Sequence, residues 1–238
     1  MKKYIIAVLL LIAVVAAAGC VNQGGTGSGN VINESRTASG FNQIDLNGAG
    51  ELIIAQGSNE SVNIVAEDNL MKYIKTSVDN NKLTITFENN MPVPTKGVKF
   101  YITVKDLNSI STSGSGKIVS NSLNVNGLTI NINGAGEGNF ANLNAQKLII
   151  MISGAGKMNM AGNVNDQTIN ISGAGDYNAN NLTSKTASVS INGGGKATVK
   201  VSDALNAAIN GAGDISYIGN PKLTQQINGA GKINQISG

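Results

Sequence analysis

Ser153-Gly154-Ala155-Gly156-Lys157-Met158-Asn159-Met160 is followed 19 residues later by Ser172-Gly173-Ala174-Gly175-Asp176-Tyr177-Asn178-Ala179. After a further 20 comes Asn192-Gly193-Gly194-Gly195-Lys196-Ala197-Thr198-Val199. The four-residue turn Asn/Ser-Gly-x-Gly heading each stretch begins eight times in the chain, at Asn47, Ser113, Asn133, Ser153, Ser172, Asn192, Asn210 and Asn228. From Ser113 onward the spacing is 18 to 20 residues. A period of that length predicts stacked coils, each too thin to bury its own apolar side.

Alignment on the last Gly of each turn exposes a period of two. Two residues beyond it stand Leu52, Ile118, Met158, Tyr177, Ala197, Ile215 and Ile233; four beyond it stand Ile54, Phe140, Met160, Ala179, Val199 and Tyr217. Between them, Asn139, Asn159, Asn178, Thr198, Ser216 and Asn234 hold the alternate position. Before every turn but the one at Ser113, which Thr112 precedes, an apolar residue recurs, as Leu46, Ile132, Ile152, Ile171, Ile191, Ile209 and Ile227. The apolar sets point inward and the polar set outward, as half-buried strands require. The expected fold is all-β, a single-stranded parallel β-helix or β-solenoid with ~20-residue coils and Asn/Ser-Gly-x-Gly corners.

The residue directly after each turn is charged, and its sign alternates without exception: Glu51, Lys117, Glu137, Lys157, Asp176, Lys196, Asp214, Lys232. In stacked coils each charge then lies beside opposite ones, whereas like charges at that spacing would repel. Read as structure, this is a solvated ladder that holds register, each pair worth about 0–1 kcal/mol. Read as function, it supplies donors and acceptors to a polar ligand beside the Asn/Ser/Thr row. On that reading Lys157, Asn159, Asp176, Asn178, Lys196 and Asp214 form the ligand face.

Residues 31–112 contain only the first turn, and 66 residues separate it from the second, room for about three irregular coils. Strand-like runs cover 43–46, 51–55, 61–66, 82–88 and 98–105, and Asp68 to Ile74 reads as a short helical cover with Leu70, Tyr73 and Ile74 on one face. Met91-Pro92-Val93-Pro94 reads as a loop. Residues 31–238 thus form one domain, irregular to 112 and regular from 113.

At the other extreme, Lys2-Lys3, an apolar stretch from Ile5 to Val15 and Ala17-Ala18-Gly19-Cys20 read as a signal peptide over 1–19 with a lipobox-like end. The apolar stretch is shorter than the ~18 residues of a membrane span. Cys20, the sole cysteine, is the expected lipidation site, which predicts an extracytoplasmic protein lipid-anchored to the cell envelope. A non-cleaved anchor with an incidental cysteine is the other reading. The Gly/Ser-rich stretch to Asn30 reads as a flexible tether, so 20–30 form a lipidated tether.

Loss of Lys2 and Lys3 on processing leaves 15 cations against 14 anions. A chain so nearly neutral has no basic groove for nucleic acid. It contains no His, and its only Arg is Arg36, which leaves few candidates for acid-base chemistry. No catalytic residue, cofactor or metal ligand is expected.

Gly40-Phe41-Asn42-Gln43-Ile44-Asp45-Leu46-Asn47-Gly48, Ile54-Ala55-Gln56-Gly57 and Val62 to Leu70, together with the later SGSG and NGAG turns, resemble the head GIN family of auto-transporter adhesins. The resemblance spans roughly residues 31–238 and implies a right-handed β-helix without an assigned catalytic site. It also implies cell adhesion. The function expected first is a non-catalytic surface module that is adhesive or binds extracellular polysaccharide. A structural envelope or sensor domain with a protein partner stays open as a second class, and a polysaccharide lyase as a third. The last segment stops part-way through a coil, an edge suited to end-to-end association as a homo-oligomer.

Overall fold

The computed structural model describes residues 25–237; the expected signal peptide and Cys20 lie outside them. Strands β1 (Val31–Arg36), β2 (Gln43–Asn47), β3 (Glu51–Gln56) and β4 (Ser61–Glu67) lead into a 3-10 helix, Asp68–Tyr73. After it come β5 (Ile74–Asp79), β6 (Lys82–Phe87), β7 (Lys99–Val104), β8 (Ser109–Gly114), β9 (Lys117–Ser120) and β10 (Leu123–Gly134). The regular coils follow as β11 (Glu137–Gly154), β12 (Lys157–Gly173), β13 (Asp176–Gly193) and β14 (Lys196–Gly211), then β15 (Asp214–Ile218), β16 (Lys222–Gly229) and β17 (Lys232–Gln235). The expected β-solenoid is present, with about six turns.

Pre-turn strands β8, β10, β11, β12, β13, β14 and β16 pair in parallel, and so do the post-turn segments from β9 to β17. Ile132, Ile152, Ile171, Ile191 and Ile209 are stacked partners and buried. Each buried isoleucine contributes about 1.5–3 kcal/mol that no single coil could gain alone. Gly138, which breaks the inward apolar pattern, makes room for a neighbour: a Cβ there would lie 2.0 Å from the sulfur of Met158 on the next coil.

The corner needs both glycines, for different reasons. Gly173 has φ +120°, and a Cβ on it would sit 2.6 Å from the carbonyl oxygen of Gly154 on the coil before. At Gly175 the obstacle is a side chain, since a Cβ would meet Ile152 Cγ2 at 2.6 Å. The isoleucine column therefore packs its methyl groups into the space that the second glycine leaves. Corner N–H groups donate across the stack, as from Ala174 to Gly154 O and from Asp176 to Gly156 O, at 2.9 and 2.8 Å.

Tyr177 is fully buried, and its hydroxyl donates to Gln167 Oε1 at 2.9 Å. Gln167 Nε2 donates to Ser184 Oγ, which donates to the carbonyl of Lys200. Burial pushes the Tyr177 hydroxyl far above its usual range, so it acts as a neutral donor. Phe140 is also buried and Tyr217 is half-buried against the core, consistent with the inward register of these aromatics.

Residues 31–112 are not three further coils. β2 pairs in parallel with β8 on one side and β6 on the other, while β3 is likewise flanked by β9 and β7. The layer formed by β6 and β7 therefore lies beneath the first corner, and the chain returns over that corner to begin the regular stack. Antiparallel strands close this end: β5 on β6 through a turn at Asn80 and Asn81, both left-handed, and β4 then β1 beyond β7. The 3-10 helix buries Leu70 and Met71, with Met71 rather than Tyr73 facing inward beside Ile74. Such closure satisfies edges that a bare solenoid end would expose.

The expected flexible tether is docked over residues 25–30. Gly27 N–H donates to Val93 O at 2.9 Å and Ser28 N–H to Asn69 Oδ1 at 3.0 Å, while Asn30 O accepts from Asp68 N–H at 2.9 Å. Its Gly/Ser composition marks low side-chain content, and here the backbone amides find partners on the closed end. The central partner is Glu67, a buried carboxylate that accepts from Gly29 N–H at 2.8 Å, Thr95 N–H at 2.8 Å, Thr95 Oγ1 at 2.5 Å and Lys96 N–H at 3.3 Å.

Candidate functional site

Strand pairing places the post-turn charges in one column, in the order Glu51, Lys117, Glu137, Lys157, Asp176, Lys196, Asp214, Lys232. The column also runs one rung beyond the repeats, because Lys99 on β7 pairs with Glu51. Signs alternate through all nine rungs, a column of about 38 Å at the spacing of neighbouring strands.

The two ends of the column differ. Glu51 lies 3.0 Å from Lys117 Nζ and 3.6 Å from Lys99 Nζ. The hydrogen bond from Lys117 is the main cause that holds its carboxyl below the ordinary range, with Lys99 adding to it. Among the described residues, the column's other charges form no ion pair within 4.0 Å. The lysines are exposed at both ends, but those of the Glu51 end are tied into a clamp between coils, whereas those of the far end have no such pair among the described residues.

Next to the charges runs the outward row of alternate residues. In stack order it is Tyr101, Ile53, Val119, Asn139, Asn159, Asn178, Thr198, Ser216 and Asn234. The row thus begins apolar and becomes a run of amides and hydroxyls. Lys157, Asn159, Asp176, Asn178, Lys196 and Asp214, the six residues expected on a ligand face, all line one open groove of about 820 Å³. Lys200 and Lys232 complete its cationic lining. The six are brought together because period-two alternation sends them all out of the same side of a flat parallel sheet.

Tyr101 is the residue that repeat alignment misses. It is 42% exposed and offers an aromatic surface on the same outward row, opposite the polar end. Neither it nor Lys99 follows a Gly-x-Gly turn. A signal exists nonetheless: Lys99-Phe100-Tyr101-Ile102 repeats the charge, inward, outward, inward order of Glu51-Leu52-Ile53-Ile54.

For chemistry, the acids of this face stand each between two lysines of the neighbouring rungs, so carboxylate acceptors and ammonium donors alternate along it. Among the described residues no three His, Cys, Asp or Glu side chains converge to hold a metal ion. The arrangement is an array of ammonium donors, carboxylate acceptors and amides that do both, projecting from one sheet.

A family model described as "Putative auto-transporter adhesin, head GIN domain" matches residues 40–221. Among solved structures, one described as a "putative adhesin" from Bacteroides fragilis NCTC 9343 is 28% identical with a TM-score of 0.83. That match covers 90% of this chain and 100% of the other. A "Putative lipid binding protein" from Parabacteroides distasonis ATCC 8503 is 23% identical with a TM-score of 0.73, covering 89% and 98% of the two chains. A "putative adhesin" from Parabacteroides merdae ATCC 43184 is 22% identical with a TM-score of 0.69, over the same shares. At those identities the two Parabacteroides structures bear on the fold alone. No curated protein matches the chain.

Proposed function

The chain belongs to the head GIN domain family, and from that premise we propose that it is a non-catalytic surface module that binds extracellular polysaccharide along its outward post-turn face. The carrying observation is the convergence of six outward polar residues on one groove. Sugars present hydroxyls that both donate and accept. Asn159 and Asn178 do the same, while Lys157 and Lys196 donate and Asp176 and Asp214 accept. The sheet fixes the backbone positions from which these groups project before any ligand arrives, which reduces the ordering cost of binding to that of the side chains. Tyr101, at the other end of the row, adds a ring face for the apolar side of a sugar.

The test is binding of the full chain, in mild detergent, to a broad panel of glycans at physiological salt, with product release followed in the same wells. Selective binding without cleavage is expected, weakened roughly tenfold by Asn178→Ala through loss of one buried polar contact. Turnover of a uronate polymer would make the protein a lyase, and absence of binding would favour a protein partner.

The same proposal makes Cys20 the lipidated N-terminus. Five residue steps separate it from docked Gly25, and an extended chain of that length spans at most about 18 Å. The closed end is therefore held close to the membrane rather than on a long leash. Metabolic labelling with a palmitate analogue should mark the wild-type chain and not Cys20→Ser; equal labelling of both would remove the anchor.

A further inference from the structure

We infer that the ligand of this groove is an acidic heteropolysaccharide in which an anionic sugar alternates with a neutral one, lying along the stack. The inference rests on the polysaccharide reading above and names the class of chain. Its basis is the spacing of charge. Lys157, Lys196 and Lys232 occupy every second rung, with Asp176 and Asp214 on the rungs between. Neighbouring rungs lie about 4.8 Å apart, so cations recur about every 9.6 Å with a carboxylate midway. One disaccharide of an extended glycan spans a comparable distance, so one repeat fits two rungs.

The groove is also not neutral. With Lys200 it holds four lysines against two aspartates. The lysines are exposed and the aspartates half-buried, so an approaching chain meets the ammonium groups first. Among the described residues none of these charges is closed in an ion pair, unlike Glu51 at the other end of the column. The ammonium groups are thus available to a ligand.

This pattern discriminates in two directions. A polymer with a carboxylate on every sugar would set one acid against each aspartate, and that repulsion counts against it. A neutral polymer would cover the lysines without supplying a charge to pair with them. An alternating chain avoids both: its anion meets a lysine, and the hydroxyl or acetamido groups of its neutral sugar donate to Asp176 and Asp214.

Three probes separate these cases with the full chain: hyaluronan, which alternates glucuronate with N-acetylglucosamine; polygalacturonate, acidic at every sugar; and dextran, which is neutral. Hyaluronan is expected to bind at least roughly tenfold tighter than either, and to weaken as salt is raised. Lys196→Gln should weaken it by about tenfold while leaving the thermal midpoint in place, since an exposed charge contributes little to folding. Asp176→Asn should narrow the gap between hyaluronan and polygalacturonate. Equal, salt-insensitive binding of dextran would overturn the acidic class and leave polysaccharide binding standing. Polygalacturonate bound as tightly as hyaluronan by the wild type would overturn the alternation. Failure of all three, together with an empty broad panel, would remove the underlying reading as well.

Discussion

Gly173→Val is expected to destabilise the protein by about 3 kcal/mol or more and to open the stack at that corner. Two costs add. The backbone at φ +120° lies in a region that a β-branched side chain scarcely adopts, and the new Cβ would start 2.6 Å from Gly154 O. That oxygen cannot move aside freely, because it accepts the N–H of Ala174 at 2.9 Å and so belongs to the ladder joining the coils. Because each coil contacts chiefly its neighbours, the damage should centre on β11 and β12, whose ends meet at Gly154 and Gly173. Thermal unfolding reads the loss, and hydrogen exchange across those two strands reads its place. Gly194→Ala is the internal control. It occupies the x position of a corner, a Cβ there meets nothing within 4 Å, and other corners already carry Ala155, Ala174 and Ala212. The change should be neutral or stabilise by about 0.4–1 kcal/mol through the unfolded chain. A valine variant as stable as the control would show that corner geometry does not hold the stack together.

The same corners explain how much of the protein could be read in advance. From Ser113 onward every coil repeats one solution, so the inward columns, the outward Asn row and the alternating charges follow from alignment alone. Residues 31–112 solve another problem, the closing of an end, and do so without repetition. The layer of β6 and β7 reaches β2 and β3 across a long stretch of chain, and its antiparallel cover has no period to detect. That is why Lys99 and Tyr101, which extend the outward post-turn face, have no corner to announce them. The docked segment 25–30 was equally hidden. Glycine and serine side chains reveal nothing of where backbone N–H groups go, and their acceptors, Glu67 and Val93, are distant in sequence.

Glu67 is where the closed end should fail in acid. Four donors from three N–H groups and one hydroxyl converge on its carboxylate, with the Thr95 hydroxyl the largest influence, and hold its pKa at about 2 against an ordinary 4.5. Since the folded value is the lower one, the contribution of this group is complete above pH 4.5 and is lost as pH falls toward 2. Asp68 shifts in the same direction, chiefly through the Ser28 hydroxyl with Asn30 as second donor, so both groups loosen the same segment. The expected sequence on acidification is release of residues 25–30 and the 93–96 loop before the regular coils, whose cohesion rests on isoleucine columns that do not titrate. Amide exchange at Gly29 and Thr95 should therefore accelerate between pH 4.5 and 2 while Ile171 stays protected. Glu67→Ala should produce that opened end at neutral pH, because it leaves the N–H groups of Gly29, Thr95 and Lys96 without their acceptor. Glu67→Gln keeps one acceptor oxygen, and should open the end in part and flatten its pH dependence. Protection at Gly29 that survives both substitutions would mean that the Val93 and Asn69 contacts suffice to dock the segment, and the anchor geometry derived from Gly25 would then stand without Glu67.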